Sequence, residues 1–326
     1  MKRREFITLL GGAAAWPLVA RAQQGERRRR IGVLETVSVT LNAANYDALR
    51  QGLRELGYVE GRNLVIEYRS ADGLTERFPD LATELVRRDV DLIITRGTPA
   101  ALAAKQATST IPIVMGALGT ALNTGVFPNL ARPGGNITGF SSLNFEIVGK
   151  HVELLKDLIP GIGRVAVLSN ATNPGVAVGI RYAEVAAKTA GLTLDHVQIR
   201  EASDLATALP ALSRLHPDAV LVMADTQMLA QRQRIVEFMM ASRLPAIYAY
   251  REFAEAGGLL SYSTDFDDLI RQAAAYVDKI LRGTNPGDLP VQQAVKFKLV
   301  VNLKTAEALG LTVPPLILAQ ADEVIE

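Results

Sequence analysis

The sequence of 326 residues contains no cysteine and only three histidines. Without cysteine the chain can form neither a disulfide nor a thiolate metal site. A lipid-anchored bacterial protein carries its lipid on a cysteine directly after the leader, so we also expect no direct membrane anchor of that kind. No two of the histidines have the spacing of metal ligands. We therefore expect no metal site.

Motifs that hold a nucleotide or activate a nucleophile are also missing. The sequence has no Walker loop and no Gly-x-Ser-x-Gly elbow. The segment "GGNITG" at 134–139 has a glycine spacing similar to that of a dinucleotide loop, but it neither follows a predicted strand nor opens a predicted helix. We predict a protein without catalytic residues or cofactors, and an exported Rossmann-type enzyme is the alternative.

Long hydrophobic runs and an excess of one charge are absent as well. The apolar run at 6–18 is shorter than the roughly 20 residues that a membrane-spanning helix needs. The chain has 35 basic and 34 acidic residues, a net charge of +1, which gives no electrostatic footprint for nucleic acid. We interpret the basic run "ERRRR" at 26–30 as a solvated leader before the first strand.

What the chain does contain begins with the stretch "MKRREFITLLGGAAAWPLVARAQQ". A basic start, an apolar segment and Ala-Arg-Ala at 20–22 are the three parts of an export signal, with cleavage expected after Ala22. The pair Arg3-Arg4 followed by "EFI" resembles the twin-arginine signature, and a Sec signal is the alternative. We expect 1–22 to be removed, 23–30 to be a leader, and the mature protein to be free in the periplasm.

The body of the chain repeats itself. Short buried-strand patterns alternate with helical patterns, and the strands are predicted at 31–35, 63–69, 91–95 and 111–115, and again at 164–170, 192–199, 218–225 and 244–250. Gly57 and Gly191, which close corresponding helices, are 134 residues apart, and Pro112 and Pro245 are 133 apart. This near-constant offset predicts an α/β fold of two doubly wound parallel-sheet lobes joined by a hinge.

Two stretches fall outside the repeat, and the crossovers between the lobes are expected there. They are "ARPGGNITGFSS" at 131–142 and the chain after residue 250. We assign 31–140 and about 258–290 to the first lobe, and 141–257 and about 291–326 to the second. A cleft between two hinged lobes is suited to trap a ligand.

In open parallel sheets, ligands bind beyond the carboxyl ends of the strands. The polar residues that follow the predicted strands are therefore candidate ligand-binding residues: Thr36, Thr98, Thr120, Asn170, Asn173 and Asp225. Thr98 as a helix N-cap, with Pro99 behind it, would present free N–H groups to a carboxylate or phosphate, although a plain helix cap fits the same pattern. The asparagines and Asp225 could contact the ligand or only form an Asx turn and a helix cap.

Aromatic side chains lie near the last predicted strands. Tyr248, Tyr250 and Tyr262 are close to the ends of these strands, and we take Tyr248 and Tyr262 as candidates. Their rings could sandwich an apolar or aromatic ligand, and core packing is an equally good interpretation.

Four stretches of the chain resemble one family. They are "GLRELGYVEGRNLVIEYRSADG" at 52–73, "ARPGGNITGFS" at 131–141, "LPAIYAYREFAEAGGLLSYSTD" at 244–265 and "VNLKTAEALGLTVPP" at 301–315. In this order they resemble the ABC transporter substrate-binding proteins of the tryptophan/tyrosine-type group, which have a type I periplasmic-binding fold. The resemblance implies a receptor that captures a small solute, an amino acid or related carboxylate, and presents it to a membrane permease. We expect a monomer that binds no nucleic acid.

The resemblance also implies roles for single residues. Thr98 would hold a carboxylate at its helix start, and Asn170 and Asp225 would contact the solute from the other lobe. The group often has Ser-Asp-Pro after the fourth strand, whereas this chain has Gly-Thr-Ala at 119–121. If the missing acid neutralises an ammonium, this protein either uses Asp225 instead or binds something other than an amino acid. A solute-binding partner of a membrane signalling protein is the alternative to a transport role.

Overall fold

The computed structural model describes residues 28–119 and 126–326. The strands are β1 (Arg29–Glu35), β2 (Leu64–Ser70), β3 (Leu92–Arg96), β4 (Ile113–Leu118), β5 (Ile137–Ser141), β6 (Arg164–Asn170), β7 (Thr193–Ile199), β8 (Ala219–Val222), β9 (Ala246–Tyr248), β10 (Leu260–Thr264), β11 (Gln292–Gln293), β12 (Phe297–Asn302) and β13 (Glu323–Ile325). The helices are α1 (Ala43–Glu55), α2 (Phe78–Arg87), α3 (Thr98–Ala107), α4 (Val148–Leu158), α5 (Val176–Ala190), α6 (Leu205–Arg214), α7 (Thr226–Ala230), α8 (Arg232–Ala241), α9 (Arg251–Glu255), α10 (Phe266–Leu281), α11 (Leu303–Leu309) and α12 (Pro315–Gln320).

The strands form two sheets, one in each lobe. The first has the order β11-β5-β4-β3-β1-β2, and the second has the order β13-β12-β10-β9-β8-β6-β7. Five consecutive strands therefore follow the same doubly wound order in both sheets, with β6 to β10 in the positions of β1 to β5. The predicted fold class, two doubly wound α/β lobes, is confirmed. The pairing is parallel apart from that of β10 with β12.

The chain crosses between the lobes later than expected. The sequence assigned about 258–290 to the first lobe, but β10 pairs with β9 and β12 in the second sheet, so this crossover lies at Asp265. The first crossover was expected within 131–142. The second half of that stretch forms β5, which pairs with β4 in the first lobe, so the crossover lies between β5 and α4. The short β11, assigned to the second lobe, pairs with β5 in the first. In each case strand pairing, which satisfies the backbone groups of the strand, decides the lobe: β10 and β5 have partners on both sides, and β11 forms an edge.

Helix α10 returns from the second lobe and packs on α1 in the first. Its buried face carries apolar side chains at helical spacing: Leu269, Ala273, Tyr276 and Ile280. Asp265 caps the helix by accepting from the N–H of Asp268 at 3.2 Å. On α1, a Cβ at Gly52 would lie 2.9 Å from the Cβ of Ala274, so a glycine is needed where the two helices cross.

The arginine run belongs partly to the first strand. β1 begins at Arg29, two residues before the predicted start of the lobe. Arg30 pairs with Glu67 at 2.9 Å and Arg29 with Asp91 at 3.6 Å, so these charges are neutralised by acids of the neighbouring strands. The predicted export signal, 1–22, lies outside the described residues.

Membrane-spanning helices and metal-binding clusters are both absent from residues 28–119 and 126–326. No helix in these ranges has the length and the apolar character to cross a membrane. In the same ranges, His, Asp and Glu side chains form no group of three that could hold a metal ion.

Candidate functional site

A pocket lies between the two lobes, where strands of both sheets end. Its wall contains residues of each lobe and of the first crossover: Gly97, Thr98, Gly119, Phe145, Asn173, Ala224, Thr226 and Tyr250. The empty space along this wall, including the part that is open to solvent, is about 240 Å³. This is the position in which doubly wound sheets bind their ligands.

The wall on the first-lobe side is the start of α3. Gly97 is the N-cap, with a φ of 84° that strains any other residue, so Thr98 is the first helical residue and not the predicted cap. No side chain caps this helix end, and its first turn contains no acid. Thr98 is 1% exposed, and its Oγ1 has no hydrogen-bond partner in the described ranges. A buried helix start with unused donors is suited to bind an anion.

The wall on the second-lobe side is backed by amides around one carboxylate. Asp225 caps α7: its Oδ1 accepts from the N–H groups of Gln227 at 2.9 Å and Met228 at 3.2 Å. The Nδ2 of Asn170 donates to the same oxygen at 3.2 Å, and the Nδ2 of Asn173 donates to Oδ2 at 2.9 Å. Burial raises the pKa of Asp225, and the hydrogen bonds from the two asparagines oppose this shift. The carboxylate therefore accepts from four neutral donors of the protein, three at Oδ1 and one at Oδ2.

Arg96, at the end of β3, is buried beside the pocket and was not among the predicted candidates. Its Nη1 donates to Asn42 Oδ1 at 2.9 Å, and its Nη2 donates to Glu252 Oε1 of the second lobe at 3.3 Å. The guanidinium lies 4.7 Å from the ring centroid of Phe266 and 5.6 Å from that of Tyr250. It thus connects the lobes and supports the Tyr250 ring in the pocket wall. The available signal was a charged residue at the end of an apolar strand, in "DLIITRG".

Glu35 ends β1 and lies next to this arginine. Its Oε1 accepts from Asn42 Nδ2 at 3.1 Å, and its Oε2 accepts from the N–H of Thr36 at 3.3 Å. Burial, opposed by the charge of Arg96, raises the pKa of Glu35 to about 7. The predicted candidate Thr36 is buried here in the first lobe and does not line the pocket.

The lobes are in contact at further points around the pocket, besides the ion pair of Arg96. The Nε2 of Gln227 donates to the carbonyl oxygen of Gly73 at 3.5 Å. A Cβ on Gly97 would lie 3.0 Å from Cγ2 of Thr226, so the start of α3 and the start of α7 approach each other closely. The pocket is thus bounded by both lobes at once.

The sequence also matches a known family. The profile described as "ABC transporter substrate binding protein" matches residues 30–325. The chain belongs to this family. Its function is therefore that of a substrate-binding protein of an ABC transporter, not of an enzyme.

Two kinds of relative support the predicted tryptophan/tyrosine-type group within this substrate-binding family. A tyrosine-binding protein of Clostridioides difficile (strain R20291) is 25% identical over 287 residues, which cover 88% of this chain and 82% of that protein. The crystal structure of a conserved domain protein from Vibrio cholerae O1 biovar El Tor has a TM-score of 0.86 at 29% identity. An ABC domain in complex with L-Trp from Streptococcus pneumonia has a TM-score of 0.85 at 28% identity. Both structural comparisons cover 91% of this chain and 100% of the other.

In this substrate-binding protein the pocket brings together part of the predicted set. Thr98 and Asn173 line the pocket from opposite lobes. Asn170 and Asp225 do not line it and are joined to Asn173 by the hydrogen bonds of the Asp225 carboxylate. Thr120 lies outside the described residues.

The predicted aromatic residues lie elsewhere in the second lobe. Tyr248 is 1% exposed and stacks on Phe253 at 4.6 Å, within the core. Tyr262 stacks on Phe297 at 6.0 Å and does not line the pocket. Because β9 ends at Tyr248 and not at 250, Tyr250 is the tyrosine that lies beyond the strand end, and it lines the pocket. The sequence predicts that this strand ends at residue 250, two residues later than it does in the structure.

Proposed function

We propose that the protein is the periplasmic receptor of an ABC importer and that it captures an amino acid or related carboxylate in the interlobe pocket. The observation that carries this proposal is the start of α3, which is buried, lacks a side-chain cap and opens into a pocket formed by both lobes. A carboxylate there would accept from the free N–H groups and from the Thr98 hydroxyl. The relatives that bind tyrosine and L-Trp support a ligand of this class.

Capture is proposed to occur by closure of the lobes on a hinge. The chain connects the lobes between β5 and α4, at Asp265, and between β11 and β12. A few short connections can absorb the change in backbone angles, while each lobe moves as a packed unit. The solute contacts both pocket walls only in the closed state, so binding shifts the population toward that state. The loaded receptor then presents the solute to a membrane permease.

The proposed location follows from the N-terminal stretch. A twin-arginine-like leader with expected cleavage after Ala22 directs the mature chain to the periplasm, where receptors of importers collect their solutes. N-terminal sequencing of the protein recovered from the periplasmic fraction of an expressing cell tests this part, and the expected first residue is Gln23. Full-length protein retained in the cytoplasm contradicts it.

A solute panel tests the binding function. The purified protein is melted with each of the amino acids, organic acids and nucleosides, and any copurifying molecule is identified by mass spectrometry. We expect a raised melting temperature with at least one carboxylate and none with nucleosides, because ligand that binds only the folded state stabilises it. A response to nucleosides alone, or a bound redox cofactor, contradicts the proposal.

A further inference from the structure

The start of α3 provides donors for one negative group. The helix end has no side-chain cap and no acid in its first turn. The Thr98 hydroxyl is buried without a partner in the described part of the chain and lies in the pocket wall. The inference below rests on the proposed function, in which a carboxylate occupies this position.

An ammonium on the same ligand would need a free negative partner, and the neighbouring carboxylates are engaged. Asp225 already accepts from four donors. Glu252 pairs with Arg96 at 3.3 Å and also accepts from Asn45 at 3.5 Å. Glu35 accepts from a side-chain amide and a backbone N–H inside the first lobe. None of these three carboxylates lines the pocket.

The pocket wall itself adds no carboxylate. Its described members are glycine, alanine, threonine, asparagine and aromatic residues. The binding region is therefore equipped for an anion and for neutral polar groups.

We propose that the pocket selects a carboxylate with a neutral hydroxyl or oxo group on carbon 2 over the corresponding amino acid. An ammonium removed from water without a counter-charge is costly, whereas a hydroxyl or oxo group needs only a hydrogen bond. Thr226, in the second-lobe wall, has a hydroxyl that can either donate to such a group or accept from it.

Matched ligands test this selectivity by titration calorimetry on the purified protein. One set is phenylalanine, 3-phenyllactate, phenylpyruvate and phenethylamine, and a second is leucine, 2-hydroxyisocaproate, 2-oxoisocaproate and isopentylamine. We expect the hydroxy or oxo acid of at least one set to bind about ten-fold or more tightly than its amino acid, and the amines not to bind. Tighter binding of the amino acid overturns the inference and leaves the proposed function intact. Binding by none of the acids overturns the inference for these side chains, and the wider solute panel then decides the proposed function.

The variant Asp225→Asn distinguishes a carboxylate that only positions pocket residues from one that contacts an ammonium of the ligand. Asparagine keeps the size of the side chain and is itself a good helix cap, so the variant should fold, which its melting curve checks. Because Asp225 acts on the pocket indirectly, through Asn173 and the helix start at Thr226, we expect the affinities for hydroxy acid and amino acid to fall by the same factor. A selective loss of about ten-fold in amino-acid affinity would show contact with an ammonium and would overturn the inference.

Discussion

Thr98 is the residue on which the proposed binding mode depends most directly. Its hydroxyl is buried at the start of α3 and has no partner in the ranges that the structure describes. We expect Thr98→Ala to weaken binding of the carboxylate found in the panel by about 1–2 kcal/mol, the scale of one hydrogen bond to a charged group. Titration calorimetry measures this change.

The control for Thr98→Ala is Thr83→Ala on α2. The Thr83 side chain is exposed and donates to the carbonyl oxygen of Pro79 at 2.9 Å, away from the pocket. Its removal should leave the affinity unchanged. Equal affinities for wild type and Thr98→Ala would place the carboxylate at another position.

The buried carboxyl group of Glu35 should make the free energy of unfolding depend on pH. Burial raises its pKa from 4.5 to about 7, so between these values the folded state binds the proton more strongly than the unfolded state. The free energy of unfolding that Glu35 contributes is therefore largest at low pH and falls as pH rises through this window. Between pH 5 and pH 8 wild type should lose about 2–3 kcal/mol relative to Glu35→Gln, which cannot titrate.

Urea unfolding of wild type and Glu35→Gln at several pH values measures this difference. The comparison must be between the two proteins, because burial lowers the pKa of His151 to about 4 and acts in the opposite direction. A buried neutral imidazole contributes stability that is lost as pH falls below about 6.5, and this contribution cancels between the variants. A difference that does not change with pH contradicts the prediction for Glu35.

At the scale of elements, β5 depends on a glycine. Gly139 has a φ of 136°, and a Cβ there would lie 2.2 Å from the carbonyl oxygen of Met115 on β4. Gly139→Ala should therefore lower the free energy of unfolding by about 3 kcal/mol or more, through backbone strain and overpacking together. Urea unfolding measures this loss.

A substitution at Gly191 separates the cost of backbone strain from the cost of the steric clash at Gly139. Gly191 follows α5 with a φ of 74°, and nothing lies within 4 Å of the position of its Cβ. Gly191→Ala should lower the free energy of unfolding by only about 1 kcal/mol, the cost of a left-handed residue without a clash. Equal losses in the two variants would show that the contact with Met115 relaxes freely.

Helices and strands were predicted well where a local sequence pattern defines them, and less well where pairing with another strand defines them. Strand β3 is buried along its whole length, as the run "DLIIT" at 91–95 indicated. The helical pattern at about 227–242 predicts one helix, whereas the structure has two, α7 and α8, which meet at Gln231. The stretch from 314 to the end likewise predicts one terminal helix, but that helix ends at Gln320, and β13 then pairs with β12. Such pairing depends on a partner strand and leaves little mark in the local sequence.

At the scale of the whole molecule, the ion pair of Arg96 and Glu252 holds the two lobes together. Arg96 is 3% exposed, so removal of Glu252 leaves a buried charge with Glu35 as its remaining acidic neighbour in the described residues. Glu252→Gln should favour separated lobes and therefore increase the radius of gyration of the protein without solute. It should also weaken solute binding by about ten-fold, because part of the binding free energy is then used to close the lobes. Small-angle X-ray scattering and calorimetry measure the two effects.

The matched control lies on the same helix. Glu255 pairs with Arg251 at 2.9 Å within α9, and its side chain is 48% exposed. Glu255→Gln removes a surface ion pair of little energetic weight and should change neither the scattering nor the affinity. If Glu252→Gln behaves like Glu255→Gln, the ion pair between the lobes does not control closure.

The sequence by itself determined the tandem repeat and the fold class, because strand and helix periodicity can be read from short stretches and their offset can be compared along the chain. The family followed from the resemblance of four stretches, which the match over 30–325 confirms. The sequence also pointed to the start of α3 as part of the pocket. Only the tertiary structure decided the rest of the site. The four donors of Asp225, the arginine that joins the lobes, and Tyr250 in place of Tyr248 all depend on contacts between residues far apart in sequence or on where a strand ends. Such contacts form because the folded backbone brings the groups together and excludes water, which no local pattern records.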